Sequence, residues 1–189
     1  MRTCSECHRG ETMVNAMDYM TYAYLQLARD SDARRTFDEA RTLTGINPAR
    51  ATGPYALAAM PARYALERGA WRDAAQLQPT PSKFPFTEAM THFARALGAA
   101  RSGDVTAAQK DIERIVALRD ELKAAKSEYW ANEVDVMRLA SLAWVALAQK
   151  KSNDALALMS QAATSRTRAR RTSSRRGACC PRVSCSVTC

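Results

Sequence analysis

The feature that most constrains this chain is a helical spacing of apolar residues that continues from about residue 14 to residue 163. Apolar side chains recur at intervals of three and four, as at Met17, Met20, Tyr24 and Leu27. The residues between them are mostly good helix formers, and no alternating run of apolar and polar residues indicates a strand. The sequence therefore predicts an all-α fold for residues 14–163.

Helix breakers divide this region into short segments. Asn47-Pro48 and Ser102-Gly103-Asp104 are typical of turns, Gly69 lies where a helix would end, and Pro61 suits the first position of a helix. The predicted helices are 14–29, 31–44, 61–69, 71–77, 87–101, 105–125, 129–149 and 152–163. Because the connections are short, neighbouring helices are expected to run antiparallel.

A methyl-sized residue recurs near the start of every second predicted helix, at Ala33, Ala74, Ala108 and Ala155. Another small residue lies twelve positions earlier on each preceding helix. These partners are Thr21, Ala62, Ala96 and Ala143. Two helices approach closely only where the side chain at the crossing is small, and a larger residue a turn later fills the space beside it. The pattern predicts four antiparallel helical hairpins.

This arrangement resembles the tetratricopeptide repeat (TPR) family, whose unit is a helix–turn–helix of about 34 residues. The stretch from His92 through Gly103-Asp104 to Ala108 matches the family spacing best, and Tyr24 and Trp71 match its aromatic positions. The spacing between units is irregular here, and the Trp-Leu-Gly opening of the family is absent. The resemblance implies a TPR-like α-solenoid of about four units; the alternative is an irregular α-helical bundle.

The resemblance also implies a non-catalytic scaffold whose first helices line a concave face that binds a peptide or a partner helix. Carried across by position, the concave residues are Asp18, Tyr22, Gln26, Arg63, Glu67, Phe93, Leu97, Arg101 and Trp144. For Phe93, Leu97 and Trp144 the alternative is ordinary core packing. The charges on this face are mixed in sign, so the partner's identity stays open. We expect a fragment of a longer array, with uncapped ends that allow self-association.

No pattern of catalytic residues emerges, and we expect neither enzymatic activity nor a cofactor. Of the two histidines, His92 is interpreted as a turn-packing residue at the start of a helix. The motifs H-E-x-x-H and G-x-S-x-G do not occur.

Residues 1–13 are predicted to be an irregular segment. Cys4, Cys7 and His8 match C-x-x-C-H, the attachment motif of c-type haem, which makes a haem- or metal-binding electron-transfer protein the alternative function. A tetrahedral metal site would need a fourth ligand, and no second pair of ligands lies nearby. The first residues carry no apolar leader, which predicts a cytoplasmic chain as given and leaves export open for a longer parent.

Residues 164–189 are predicted to be a disordered tail. Seven of the 28 basic residues lie in residues 163–189 with no acidic residue, so the rest of the chain is close to neutral. Such a tail would suit a basic nucleic-acid binder, but no aromatic residue is interleaved to stack on bases, and we do not expect that partner. Back-translation in a second frame yields a helix-like continuation, which suggests a frameshifted tail. The longest apolar run, 142–148, is too short to span a membrane.

Overall fold

The computed structural model describes residues 4–47, 49–80 and 82–177, and the side chains of residues 10–167 within these ranges. These residues form helices without any strand, so the predicted all-α class is confirmed. The helices are α1 Cys4–Gln26, α2 Asp30–Ala40, α3 Thr52–Glu67, α4 Trp71–Ala75, α5 Pro85–Arg101, α6 Val105–Ala124, α7 Glu128–Ala148 and α8 Ser152–Gly177.

The predictions for both ends of the chain need correction. Helix α1 begins at Cys4, so residues 4–13 are helical and not irregular. Helix α8 continues to Gly177, so residues 164–177 are not the disordered segment predicted from their composition. No proline interrupts either extension, and arginine and alanine in residues 164–177 favour helix. In residues 4–13, Gly10 packs against Thr44 and Gly45, and Glu11 pairs with Arg50. A helix already started can therefore propagate without an apolar periodicity. Residues 178–189, with the rest of the proposed frameshifted tail, lie outside the described residues.

Helix α3 also differs from its prediction. It begins at Thr52, and Pro61 lies inside it instead of at its first position. An interior proline costs a helix about 3 kcal/mol because it removes one backbone donor and crowds the preceding turn. Alanine-rich sequence on both sides of Pro61 favours one continuous helix. Its buried residues, which include Ala56, Met60 and Ala65, flank the proline and stabilise this helix.

The four methyl-sized residues are buried, as predicted. Ala33, Ala74 and Ala108 have no exposed surface, and Ala155 is 9% exposed. Their four predicted partners are also buried: Thr21, Ala62, Ala96 and Ala143. In the third hairpin, Ala96 and Ala108 belong to one apolar cluster that joins α5, α6 and α7. The small residues therefore lie at the interior of the helix packing and not on its surface.

Contacts between helices follow their order in the chain. The pairs α1–α2, α3–α4, α5–α6 and α7–α8 are in contact, and so are the odd-numbered neighbours α1–α3, α3–α5 and α5–α7. Among the described residues, no two helices more than two places apart in the chain have closely packed backbones, although the Tyr55 side chain of α3 reaches Trp130 of α7, with ring centres 6.2 Å apart. The core is accordingly divided into clusters, one of α1, α2 and α3 and others of the later helices.

The five-residue helix α4 lies closely on α5. A Cβ atom built on Gly98 would stand 2.4 Å from the carbonyl oxygen of Trp71 and 2.5 Å from the nitrogen of Ala75. It would also stand 2.8 Å from the Cβ of Ala74. The sequence pattern pairs Ala74 with Ala62 on the preceding helix, and the structure also packs α4 closely against the following helix. Glycine at position 98 is what permits this approach.

No helix in the described part of the chain is both long enough and apolar enough to cross a membrane.

Candidate functional site

Five of the predicted face residues meet where α1 runs beside α3. The Asp18 carboxylate accepts a hydrogen bond from Nη1 of Arg63. The Arg63 guanidinium lies 5.5 Å from the centre of the Tyr22 ring. One turn further along, Nε2 of Gln26 donates to Oε2 of Glu67 at 3.4 Å. The structure therefore brings these residues together in one row.

Asp18 is the buried member of this row, with 5% of its surface exposed. Burial raises the pKa of the Asp18 carboxyl, and this effect outweighs the opposing charge and hydrogen bond of Arg63. The Asp18–Arg63 pair thus fastens α1 to α3 and offers no free carboxylate to a partner. Tyr22, Gln26 and Glu67 are exposed beside it and remain accessible.

A second group forms where α5 runs beside α7. The exposed guanidinium of Arg101 lies 4.8 Å from the ring centre of Trp71 and 5.0 Å from that of Trp144. One cation is therefore held between two indole rings, and this arrangement ties α4, α5 and α7 together. Such contacts are worth about 0.5–1 kcal/mol each at an exposed site.

The remaining two predicted residues are more deeply placed. Leu97 is buried, and Phe93 is half-buried against the cluster that contains Phe86 and Ile115. Burial favours the core interpretation of both. Within the described side chains, no hydrogen bond or ion pair joins the α1–α3 group to the α5–α7 group. We call the accessible members of the two groups, Tyr22, Gln26, Glu67, Arg101 and Trp144, the odd-helix face.

Sequence reasoning missed an aromatic cluster near the starts of α3, α5 and α7. The rings of Phe86 and Trp130 stack with centres 3.8 Å apart and planes 7° apart. Tyr55 lies 6.2 Å from Trp130, and Tyr129 lies 5.0 Å from it edge-on. These four rings, Glu133 and Arg166 line a cavity of about 210 Å³, which we call the aromatic pocket. The available signal was that three odd-numbered helices each carry an aromatic residue in their first turns.

Burial also raises the pKa of the Tyr55 hydroxyl, with a further contribution from the negative charge of Asp18. Tyr129 and Glu133 act in the same direction, and Arg63 opposes them. Tyr55 therefore stays neutral at physiological pH and presents an uncharged ring to the pocket.

A larger cavity, of about 480 Å³, lies between α2, α3 and α5 beside the segment that follows α4. Phe37, Leu57, Pro61 and Leu77 form much of its apolar lining, and Arg41 adds a charge. It contains none of the predicted face residues.

His92 requires a correction, because it lies in the middle of α5 and not at a helix start. Its Nδ1 is 2.7 Å from Oδ1 of Asp111 on α6, and its Nε2 is 3.5 Å from Oε1 of Glu88. Arg95 and Arg114 donate to the same two carboxylates, each at 2.9 Å. Both ring nitrogens face carboxylates and neither faces a hydroxyl or a thiol, so the network joins α5 to α6 and lacks the nucleophile that a His–Asp pair would activate.

Among the described side chains, no cluster of three histidine, cysteine, aspartate or glutamate residues could hold a metal ion. The side chains of Cys4, Cys7 and His8 lie outside those described, so the haem motif stays a sequence hypothesis. No family model, no curated protein and no solved structure matches the chain. Function must therefore be argued from its own residues.

Proposed function

We propose that this chain is a non-catalytic interaction scaffold of the tetratricopeptide type, in which the odd-helix face binds an extended peptide or a partner helix. The observation that carries the proposal is the order of helix contacts: each odd-numbered helix packs along the next, and the backbones of each hairpin pack only against those of adjacent hairpins. Stacked hairpins in which every unit touches only adjacent units are the general plan of helical repeat proteins. The buried small residue at each hairpin crossing supports the same plan.

The odd-helix face has the chemistry that peptide recognition needs. It presents an exposed phenol at Tyr22, polar groups at Gln26 and Glu67, and a cation held on two indole rings at Arg101. Aromatic and arginine side chains are enriched where protein partners bind, because they combine a large contact area with hydrogen-bonding capacity. The Asp18–Arg63 pair holds α1 and α3 in a fixed relation, which reduces the entropy lost when a partner binds.

The proposal is tested by selecting peptides from a random displayed library on the immobilised full chain and measuring their affinities in solution. The variants Tyr22→Ala and Arg101→Ala should each weaken the selected peptides by about tenfold, which corresponds to about 1.4 kcal/mol for a central contact. Arg35→Ala on α2 and Lys110→Ala on α6 are the matched controls. Both residues are exposed and lie on even-numbered helices, so these changes should leave affinity unaltered.

Failure to enrich any peptide would count against the proposal. So would peptides whose affinity falls with Arg35→Ala or Lys110→Ala while Tyr22→Ala and Arg101→Ala have no effect. Circular dichroism of each variant separates a lost contact from a lost fold.

A further inference from the structure

We propose that the aromatic pocket formed by Tyr55, Phe86, Tyr129 and Trp130 is a binding site for a quaternary ammonium group. This inference goes beyond the scaffold function and does not depend on it, because a small ammonium compound would bind whether or not the odd-helix face binds peptides.

The first argument is that no arginine guanidinium lies over these rings, whereas one lies over most other accessible rings in the described part of the chain. Arginine guanidinium groups lie within 6 Å of the ring centres of Tyr22, Tyr24, Phe37, Tyr64, Trp71 and Trp144. Together with Phe84, whose ring centre is 5.8 Å from that of Phe86, the four rings of the pocket form the largest aromatic cluster in the described part of the chain, and no arginine there lies over any of the four. An aromatic face that carries negative electrostatic potential is therefore left available to an external cation.

The second argument is charge. Glu133 follows Tyr129 by four residues on α7, which places its carboxylate on the same side of the helix, and it lines the cavity. The other charged group in the lining is Arg166 of α8, whose side chain is exposed. Nearby, Asp18 and Arg63 neutralise each other in an ion pair. Glu133 is thus the anion available to pair with an ammonium ligand, and Arg166 is its intramolecular competitor.

The third argument is size and polarity. A cavity of about 210 Å³ is too small for a drug-sized ligand but holds a compact methylated group. Apart from Glu133 and Arg166, its lining consists of aromatic rings, two methionines and a valine. A primary ammonium would lose strong hydrogen bonds to water on entering such a lining. A quaternary ammonium carries its charge on methyl groups that make no such bonds, so the pocket favours it.

The test uses the full chain with choline as the ligand and compares it with the neutral isostere of choline, in which carbon replaces the ammonium nitrogen. Titration calorimetry should show choline binding at least about fivefold more tightly than the isostere, because only choline has the charge that the rings and Glu133 attract. Equal affinities would overturn the proposal, since they would show that the pocket recognises shape alone.

Three variants locate the site. Tyr129→Leu removes a ring that is 48% exposed, and Glu133→Gln removes the charge; each should weaken choline about three- to tenfold. Arg166→Ala should strengthen choline about twofold or more because it removes the competing cation. Tyr19→Leu is the control, since Tyr19 is an exposed tyrosine on α1 outside the pocket. Unchanged choline affinity in both Tyr129→Leu and Glu133→Gln, with circular dichroism spectra intact, would refute the site.

A second comparison identifies the source of the ammonium group. A short peptide containing trimethyl-lysine is measured beside the same peptide with unmodified lysine and beside free choline. A trimethylated peptide that binds at least about tenfold more tightly than choline indicates a modified partner protein; an affinity equal to that of choline indicates a small metabolite. Either result supports the ammonium site, whereas equal binding of the modified and unmodified peptides contradicts it.

Discussion

The substitution Gly98→Ala tests how α4 is held on α5. A methyl group at position 98 would lie 2.4 Å from the Trp71 carbonyl oxygen and 2.5 Å from the Ala75 nitrogen. Both are backbone atoms of α4, so no side-chain rotation can relieve the contact, and α4 must move away from α5 by about 1 Å to restore van der Waals separation.

Two opposing effects set the magnitude. Replacing glycine by alanine inside a helix favours folding by about 1 kcal/mol. Overpacking a well-filled interior costs about 1–3 kcal/mol, and the contact here is with backbone atoms on a helix that also buries Ala74. If α4 shifts, the contact of Arg101 with Trp71 weakens as well, at a cost of about 0.5–1 kcal/mol. We expect a net loss of about 2 kcal/mol in the free energy of unfolding.

Urea denaturation followed by circular dichroism measures this loss, and a thermal scan should show a Tm lower by about 4–8 °C for a chain of this length. Gly53→Ala is the control. Its added methyl would stand 2.2 Å from Cγ2 of Ile46, a side-chain methyl on a half-buried residue outside the helices, and this methyl can yield only through a rotation of χ1 or a small shift of the loop. The control should therefore lose less stability than Gly98→Ala, because the atom that it displaces belongs to a side chain and not to the backbone of a packed helix. A Gly98→Ala variant as stable as the original chain, or more stable, would refute the inferred close approach of α4 and α5.

Three further predictions follow from the charges and the exposed apolar residues. Arg63→Ala should reduce the free energy of unfolding at pH 7 by about 2–4 kcal/mol, because it leaves the buried Asp18 carboxylate unpaired. Asp18→Asn should cost less, and urea denaturation of both variants measures the difference. Burial opposes ionisation of Asp135, but hydrogen bonds from Arg138 and Arg119 outweigh it and lower the pKa of this carboxyl. Ionised Asp135 therefore stabilises the fold above about pH 4, and this contribution is lost as the pH falls through the lowered pKa. Asp135→Asn should make the free energy of unfolding depend less on pH in this acidic range. Met20 and Leu27 are exposed one heptad apart on α1, so we expect the chain to self-associate through this apolar surface at high concentration. Met20→Lys and Leu27→Lys should weaken the association, as light scattering over a range of concentrations would reveal.

The helical class and the crossing residues could be predicted from sequence because each depends on local spacing. A small residue followed by a larger one on the next turn, as at Ala33 and Phe37, has the same meaning wherever the hairpin lies. The ends could not be predicted this way. Residues 4–13 and 164–177 have no regular apolar face. They are helical because each continues a helix that is already packed along the rest of its length.

The candidate sites were predictable only where they depend on local spacing along the sequence. The row of Asp18, Tyr22 and Arg63 follows from helical spacing once α1 and α3 are known to be neighbours. The aromatic pocket does not, since Tyr55, Phe86 and Trp130 come from three helices separated by long stretches of sequence. Their meeting depends on the relative position of the starts of α3, α5 and α7. Pro61 also led to a wrong helix start: the helix was predicted to begin at Pro61, which excluded Tyr55 from it, whereas α3 begins at Thr52.

The short helix α4 shows what the small-residue pattern encodes. With five residues it is too short to complete the sequence pattern that α2 and α8 display, yet Ala74 is fully buried. Its burial depends on Gly98, which lies on the following helix and lets the two backbones approach more closely than two alanines would allow. A methyl-sized residue therefore specifies the distance between helix backbones and not the length of the helix that carries it. This is why the hairpin order survives in a unit whose second helix has been reduced to little more than one turn.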